Sequence, residues 1–324
     1  MNQISVVICT HNPKNNFLKR VINSLYKQSL KKILCEFLII DNSSEKPVEI
    51  KKTQNSPDIK IIPEKNMGLL YARLAGIKNS NGNLIAFIDD DNVLAYNYLE
   101  KAIEISHLHP NLGCFGAGII EPEFEIPIPD NLIAHQAMLA LRKIDSDSWS
   151  NNPQDHIIPW GAGLVVRREV ALAYYHEMEK EGIWQNLGRN GNHLLSGEDV
   201  MFSWIACKMG YGKGLFVDLK LTHLIDRRRL NEDYFVKIAE GHAFSNRILD
   251  HINNIENQRI RLPYISLKEI TSYLIKLDFD SFLISLYRLI VFFKKNQLDR
   301  KIAKARWRGY INADNFIKSN ILKS

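Results

Sequence analysis

Short runs of consecutive apolar residues alternate, over the first hundred positions, with stretches whose apolar residues recur every three or four. Ile4 to Cys9 is a continuous, largely β-branched run, as expected for a strand buried on both faces, and Thr10-His11-Asn12-Pro13 breaks it. Phe17 to Leu30 places Phe17, Leu18, Val21, Ile22, Leu25 and Tyr26 on one helical face. Phe37 to Ile40 predicts a second strand that stops at the turn residues Asp41-Asn42-Ser43-Ser44, and Ile59 to Ile62 a third. A helix over Leu69 to Ile77 is opened by Asn66-Met67-Gly68, a buried strand over Leu84 to Ile88 runs into Asp89-Asp90-Asp91, and Tyr96 to Leu108 is helical. This alternation predicts an α/β fold, a mostly parallel sheet flanked by helices. In such sheets ligands bind beyond the carboxyl ends of the strands. Thr10-His11-Asn12, Asp41 and the three aspartates all follow strands.

The pattern is weaker afterwards. Residues 119–159 hold five of the eleven prolines and read as a long excursion with one helix near Ile133 to Leu141. Ile157 to Arg168 predicts a strand with Gly161 and Gly163 inside it, where glycine marks close approach of a ligand or another backbone. A helix starts near Ser196-Gly197-Glu198-Asp199 and runs to about Met209, and Leu215 to Val217 is a short strand. From Asn231 to Ile321 the chain reads as all helical. The expected organisation is a domain over 1–230 followed by a basic C-terminal helical region over 231–324.

Composition changes the picture in two places. With 45% hydrophobic and 24% charged residues the chain is an ordinary globular one, and no uncharged apolar window is long enough for a membrane span. The net charge of +6 is uneven: residues 1–249 carry 28 Lys+Arg against 29 Asp+Glu, and residues 250–324 carry 14 against 7. No zinc-finger spacing or RNA-binding aromatic signature accompanies the basic tail, so nucleic acid is not an expected partner. The tail, rich in aromatics and leucines, reads either as helices packed on the protein or in a homodimer, or as a peripheral membrane contact through 260–324. Four scattered cysteines in apolar contexts (Cys9, Cys35, Cys114, Cys207) and a start that lacks a leader pattern point to a cytoplasmic protein, at the inner face of the membrane if the tail meets lipid.

The chemistry concentrates in carboxylates. Three adjacent aspartates repel one another unless a cation or hydrogen-bond donors neutralise them. Hard cations such as Mg²⁺ or Mn²⁺ take such oxygen ligands and bridge to substrate phosphates. An acidic triplet is also a common solvated turn, but the end of a buried strand favours the metal.

The ordered set Val6-Val7-Ile8-Cys9-Thr10-His11-Asn12, Ile39-Ile40-Asp41-Asn42-Ser43-Ser44, Asn66-x-Gly68-x-x-x-Ala72-Arg73, Phe87-Ile88-Asp89-Asp90-Asp91 and Gly197-Glu198-Asp199 resembles a family 2 glycosyltransferase of the GT-A fold, over roughly residues 3–225. The resemblance implies a nucleotide-sugar donor, a UDP-sugar in the first instance, a divalent metal (Mn²⁺ or Mg²⁺), and a glycan or lipid-linked acceptor. It implies donor contacts from Thr10, Asn12, Asp41, Asn66, Arg73, Asp89 and Asp90, a metal held by Asp91, and Asp199 as general base. His11 departs from the usual residue there, which bears on base recognition. His223 falls where related enzymes place a further metal ligand, although a histidine between leucines also reads as a packed residue. Arg227 and Arg229 follow and would clamp a diphosphate, or form a solvated basic turn. Trp160 and Gly161, with Glu198, would line the acceptor and sugar pocket; a core tryptophan is the plainer reading of Trp160.

Without the analogy, sugar transfer from a nucleotide diphosphate needs a cation for the leaving group and an unmetallated carboxylate for the acceptor hydroxyl. Asp91 and Asp199 suit those two tasks. Two other functions remain in view: a catalytically silent sugar-nucleotide or glycan-binding protein, and a sugar-phosphate nucleotidyltransferase, whose Gly-rich first loop is missing from Thr10-His11-Asn12-Pro13-Lys14.

Overall fold

The computed structural model describes residues 3–30, 33–50, 58–180, 197–253 and 296–321. Expectations for the loop Gly182 to Leu195 and for the aromatic stretch Tyr273 to Phe293 lie outside these residues. The described chain divides into two compact units, 1–128 with 134–227, and 129–133 with 228–324.

The first unit is built on one mixed, mostly parallel sheet. Strands β1 (Ile4–Thr10), β2 (Cys35–Asn42), β3 (Ile59–Glu64) and β4 (Leu84–Asp89) run parallel in the order β3-β2-β1-β4. The sheet continues through β9 (Leu164–Arg167), antiparallel to both neighbours, then β6 (Leu112–Phe124), β10 (Gly212–Ile225) and the short β5 (Asn92–Leu94). Two short strands, β7 (Arg142–Lys143) and β8 (Ser148–Ser150), pair with β6 and β10 respectively.

The β1 run is wholly buried because helices cover both faces. Ile4, Val6 and Ile8 join one core with Leu18, Val21, Ile22 and Leu25 of α1 (Asn15–Tyr26) and Leu99, Ala102 and Ile103 of α3 (Tyr98–Leu108). Val7, pointing the other way, meets Gly76 of α2 (Leu69–Asn79). Helix α1 ends four residues before the expected Leu30. Gln28 is spent on tertiary contacts instead, donating to Ser24 O and Ala95 O and accepting from Leu99 N.

The middle of the chain departs most from the sequence pattern. Residues 112–124 form a long strand where the sequence suggests the start of an irregular excursion, and β10 spans fourteen residues instead of three. Register shifts at Gly212/Lys213 and Phe216/Lys220 break the alternation of β10. The expected strand from Ile157 starts only at Leu164, so Gly161 and Gly163 precede it. Residues 168–179 form a helix, α5 (Arg168–Glu179), buried at Val170, Ala171, Tyr174 and Met178. The helix expected near 133–141 is two single turns, α4 (Asp130–Ile133) and a 3₁₀ turn (Gln136–Leu139) that ends at left-handed Ala140. Helix α6 (Glu198–Lys208) opens directly after Gly197, as the sequence suggests.

The segment 152–159 is tied down by a buried cation. Lys213 of β10 is fully buried, its Nζ lying 2.9 Å from Asp155 Oδ1, and Trp204 of α6 donates to Pro153 O at 3.0 Å.

In the second unit, α7 (Glu232–Ile252) is capped by Asn231, whose side chain accepts from Tyr234 N. It packs on α8 (Gln297–Ile321) closely enough that a Cβ at Gly309 would strike Glu240 O. Three cations cross the contact to carboxylates: Arg247 to Asp314 at 2.6 Å, Lys301 to Glu232 at 2.7 Å and Arg308 to Glu240 at 2.8 Å. Part of the basic excess of the tail is therefore neutralised inside this helix pair. Among the described residues no helix is long and apolar enough to cross a membrane.

Lys213 is fully buried and Asp155 partly exposed, so removing Asp155 strands a buried ammonium, at up to about 3–5 kcal/mol. Asp155→Ala is expected to lower the melting temperature sharply, and Lys213→Met in the same chain to recover most of the loss. Burial pushes the Asp155 carboxyl up, but Ser150, Lys213 and the Ile157 N–H together hold it below its ordinary value. Its contribution is therefore present above about pH 4 and lost on acidification below that. A stability profile against pH for Asp155→Ala and the parent checks this.

Candidate functional site

The parallel strands β1, β2 and β4 end on one edge of the sheet, and the polar residues expected at a site follow them. Thr10 is buried and its hydroxyl donates to Asp90 Oδ2. Across β1 and β2, Asn12 adopts a positive φ of 49° and bridges the two loops: its N–H donates to Ser44 Oγ and its Oδ1 accepts from Glu45 N, both at 2.9 Å. Asp41, buried, accepts from Ser44 N at 3.2 Å and from Val48 N at 2.9 Å, so its carboxylate shapes the loop it opens. Asn42 does the same for the next turn, donating to Asn66 O at 2.6 Å and accepting from Gly68 N at 2.7 Å. Asn66 itself is exposed.

The three aspartates take different surroundings. Asp89 and Asp90 are half-buried and Asp91 is buried. Asn92 donates to Asp91 Oδ1 at 3.0 Å, and Asp91 Oδ2 lies 3.4 Å from Nε2 of buried His223. This meeting follows from the sheet, because β5 runs antiparallel to β10 with Asn92 opposite His223.

Antiparallel β9 closes the other side. Leu164 pairs with Phe87, so the residues before Leu164 run on past the end of β4 toward the aspartates. There Gly161 N donates to Asp199 Oδ2 at 2.9 Å, and Val200 N lies 3.0 Å from Asp199 Oδ1. Asp199 stands in the first turn of α6, where the helix dipole favours a negative charge. A Cβ on Gly161 would land on Arg73 Nη2, so the guanidinium lies directly against this glycine.

Arg73 and Glu198 lie beneath. Both side chains are buried, with Nη1 and Oε1 3.3 Å apart. Burial opposes the charge on Arg73, yet Glu198, Asp199 and Asp89 around it raise its hold on the proton above the ordinary value. Cys9, in the same neighbourhood, is pushed up to about 12 by burial. It and the other three cysteines are free thiols.

Trp160 is half-buried and packs on the core, and one face of its indole is covered by Arg142, whose Cζ lies 3.6 Å from the ring centroid. Arg227 sits at the end of the first unit, its N–H and Nε turned to Glu125; Arg229 belongs to the second unit. Glu125 also receives Lys14, which reaches Asp226 at 3.2 Å, so the loop after β1 is fastened to the end of β10.

No group of three or more His, Cys, Asp and Glu side chains that could hold a metal exists among the described residues. The pair Asp91 and His223 nevertheless fits a divalent cation that accepts an imidazole beside a carboxylate, Mn²⁺ more readily than Mg²⁺. An oxygen and a nitrogen donor face one another, buried, at ligand-to-ligand spacing, and such ions commonly use few protein ligands and complete their shell with water and substrate phosphates.

Three participants escape the sequence reading. Asn92 is one residue past the acidic triplet, and only the β5–β10 pairing shows its role. Lys14 and Arg142 stand in no motif, and Lys14 meets its partner Glu125 from 111 positions away. Arg73→Met is expected to leave Glu198 buried without its counter-charge and to cost about 3–5 kcal/mol. Glu198→Gln in the same chain should return part of it, read from denaturation midpoints.

Among known proteins, the model of glycosyl transferase family 2 matches residues 5–170. The glycosyltransferase AglE of Haloferax volcanii is 24% identical over 212 residues, which are 64% of this chain and 62% of AglE, so this chain spans about three fifths of that relative's length. The amylovoran biosynthesis glycosyltransferase AmsE of Erwinia amylovora is 27% identical over 61% of this chain and 74% of its own. Among solved structures, the mannosyltransferase PcManGT from Pyrobaculum calidifontis, in complex with GDP-Man and Mn²⁺, aligns over 96% of this chain and 86% of its own with a TM-score of 0.56 at 12% identity. The shared architecture is the GT-A fold, and with the family model covering half of the sequence, the chain belongs to glycosyl transferase family 2.

Proposed function

We propose that the chain is a metal-dependent, inverting glycosyltransferase. It moves a sugar from a nucleotide-diphosphate sugar, with UDP-sugars first in line, to a hydroxyl of a glycan or lipid-linked acceptor. The observation that carries this reading is the separation of two carboxylates at one sheet edge. Asp91 faces a histidine, and Asp199 faces a backbone N–H beyond the end of the neighbouring strand.

Asp91 and His223 would hold the divalent cation. Bound there, it would neutralise charge on the departing nucleoside diphosphate as a Lewis acid. Asp199, oriented by Gly161 N–H, would take the proton of the acceptor hydroxyl as its oxygen attacks the anomeric carbon opposite the leaving group. The hydroxyl oxygen forms the new glycosidic bond, the bond to the diphosphate breaks, and the proton rests on Asp199. Thr10, Asn12 and Asp41 would form the floor for the nucleotide, Asp41 through the loop whose N–H groups it holds. Asn66, Asp89 and Asp90 would border the donor, with Arg227 near its phosphates. Arg73 and Glu198 would act from below, as the charge-balanced support of the α6 start. The mannosyltransferase neighbour was solved with a nucleotide sugar and Mn²⁺, which supports the same ligand class here.

A thermal-shift panel of UDP- and GDP-sugars with Mn²⁺ or Mg²⁺ is expected to reveal the donor, because ligands that bind only the folded state raise the melting point. With that donor, Asp199→Asn should lower transfer at least about 100-fold while metal-dependent donor binding survives. Asp91→Ala should weaken the binding itself. Full turnover by Asp199→Asn would overturn the assignment of the base.

A further inference from the structure

Resting on the reading of Asp199 as the base, we propose that Arg142 is a positioning residue for the transfer, holding the Trp160-Gly161 segment against Asp199 and supplying a second counter-charge to that carboxylate. Arg142 begins β7, paired opposite Ile120 of β6, so its backbone is fixed to the central sheet. Its guanidinium is clamped on two sides. One is the indole of Trp160, at 3.6 Å from the centroid. The other is backbone: Nη2 donates to Ile158 O at 2.8 Å, and Nη1 reaches Ala117 O at 3.4 Å. The side chain therefore grips the segment at both Ile158 and Trp160, and the next residue, Gly161, donates the N–H that orients Asp199. A planar, delocalised cation is needed for this grip, since it stacks and donates in its own plane at once.

Charge points the same way. Burial pulls the pKa of Arg142 down to about 10, and the negative charge of Asp199 opposes that pull. Among the described residues, the groups in electrostatic reach of Asp199 include Arg73 from α2, Tyr174 from α5 and Arg142 from β7, with Glu198 beside it on α6. Arg73 is engaged with Glu198 at 3.3 Å and also acts on Asp199, so Arg142 is a second cation in reach of that carboxylate. A base must be ionised and still able to take a proton. A cation held by an indole and by backbone carbonyls stays in place beside the segment whose N–H orients Asp199.

The test is a double-mutant cycle on the full chain: parent, Arg142→Met, Asp199→Asn and the double variant, with melting temperatures read by tryptophan fluorescence. Asp199→Asn is expected to cost about 2–4 °C more with Arg142 present than with methionine in its place. Equal costs in the two backgrounds would overturn the counter-charge. Turnover is read alongside as nucleoside diphosphate released in Mn²⁺ from UDP-glucose, UDP-N-acetylglucosamine or GDP-mannose, whichever the parent hydrolyses. Arg142→Met should lower kcat about tenfold or more with donor KM within about twofold, and Arg142→Lys should recover part of kcat. A loss confined to KM, or none, would contradict the proposal. Parent-like turnover by Asp199→Asn would instead remove the base reading, and the melting cycle alone would then decide whether Arg142 balances that carboxylate.

Discussion

Carboxylates crowded at neighbouring strand ends repel one another, and the architecture of this site follows from how each is compensated. Asp89, Asp90, Asp91, Glu198 and Asp199 all gather at one edge of the sheet. Asp89 lies in electrostatic reach of Arg73, Asp90 accepts a hydrogen bond from the Thr10 hydroxyl, Asp91 receives Asn92 and faces His223, Glu198 meets Arg73, and Asp199 receives Gly161 N–H at the start of a helix. Like charges thereby become chemically different groups. The buried pair of Arg73 and Glu198 is the costliest of these arrangements, since neither charge tolerates the loss of the other.

The sheet makes this distribution possible. Four parallel strands deliver loops to one edge, and antiparallel β9 then carries Gly161 past the end of β4 from the opposite direction. On the far side β10 returns beside β5 and brings His223 to Asp91. The positions of the Asp91–His223 pair and of Asp199 are therefore consequences of strand order. The loops after β1 and β2 are held by side-chain hydrogen bonds from Asn12, Asp41 and Asn42, which fix this side of the sheet edge.

The first hundred residues were legible because buried parallel strands read as unbroken apolar runs and their helices keep one face. The same signal failed after residue 110. In β6, glycines and Pro122 dilute the apolar run, and in β10 two register shifts destroy the alternation that identifies a strand. Helix α5 did carry a readable face in Val170, Ala171, Tyr174 and Met178, but the apolar strand before it runs straight into its first turn and hides the boundary. At the site, the acidic motifs could be read because each follows a strand or opens a helix. Arg142, Lys14 and Asn92 could not, because their roles come from partners that only the folded sheet brings near. Trp160 shows the reverse: a residue that reads as a sugar platform spends one face on an arginine.

The central claim is that one carboxylate at this edge is a metal ligand and another is kept free of metal. Anomalous diffraction from crystals grown with Mn²⁺ and a nucleoside diphosphate tests it most directly. The account predicts a single strong peak between Asp91 and His223, with Asp199 bonded to Gly161 and outside the coordination shell. A peak on Asp199, or manganese bound without contact to Asp91, would contradict it.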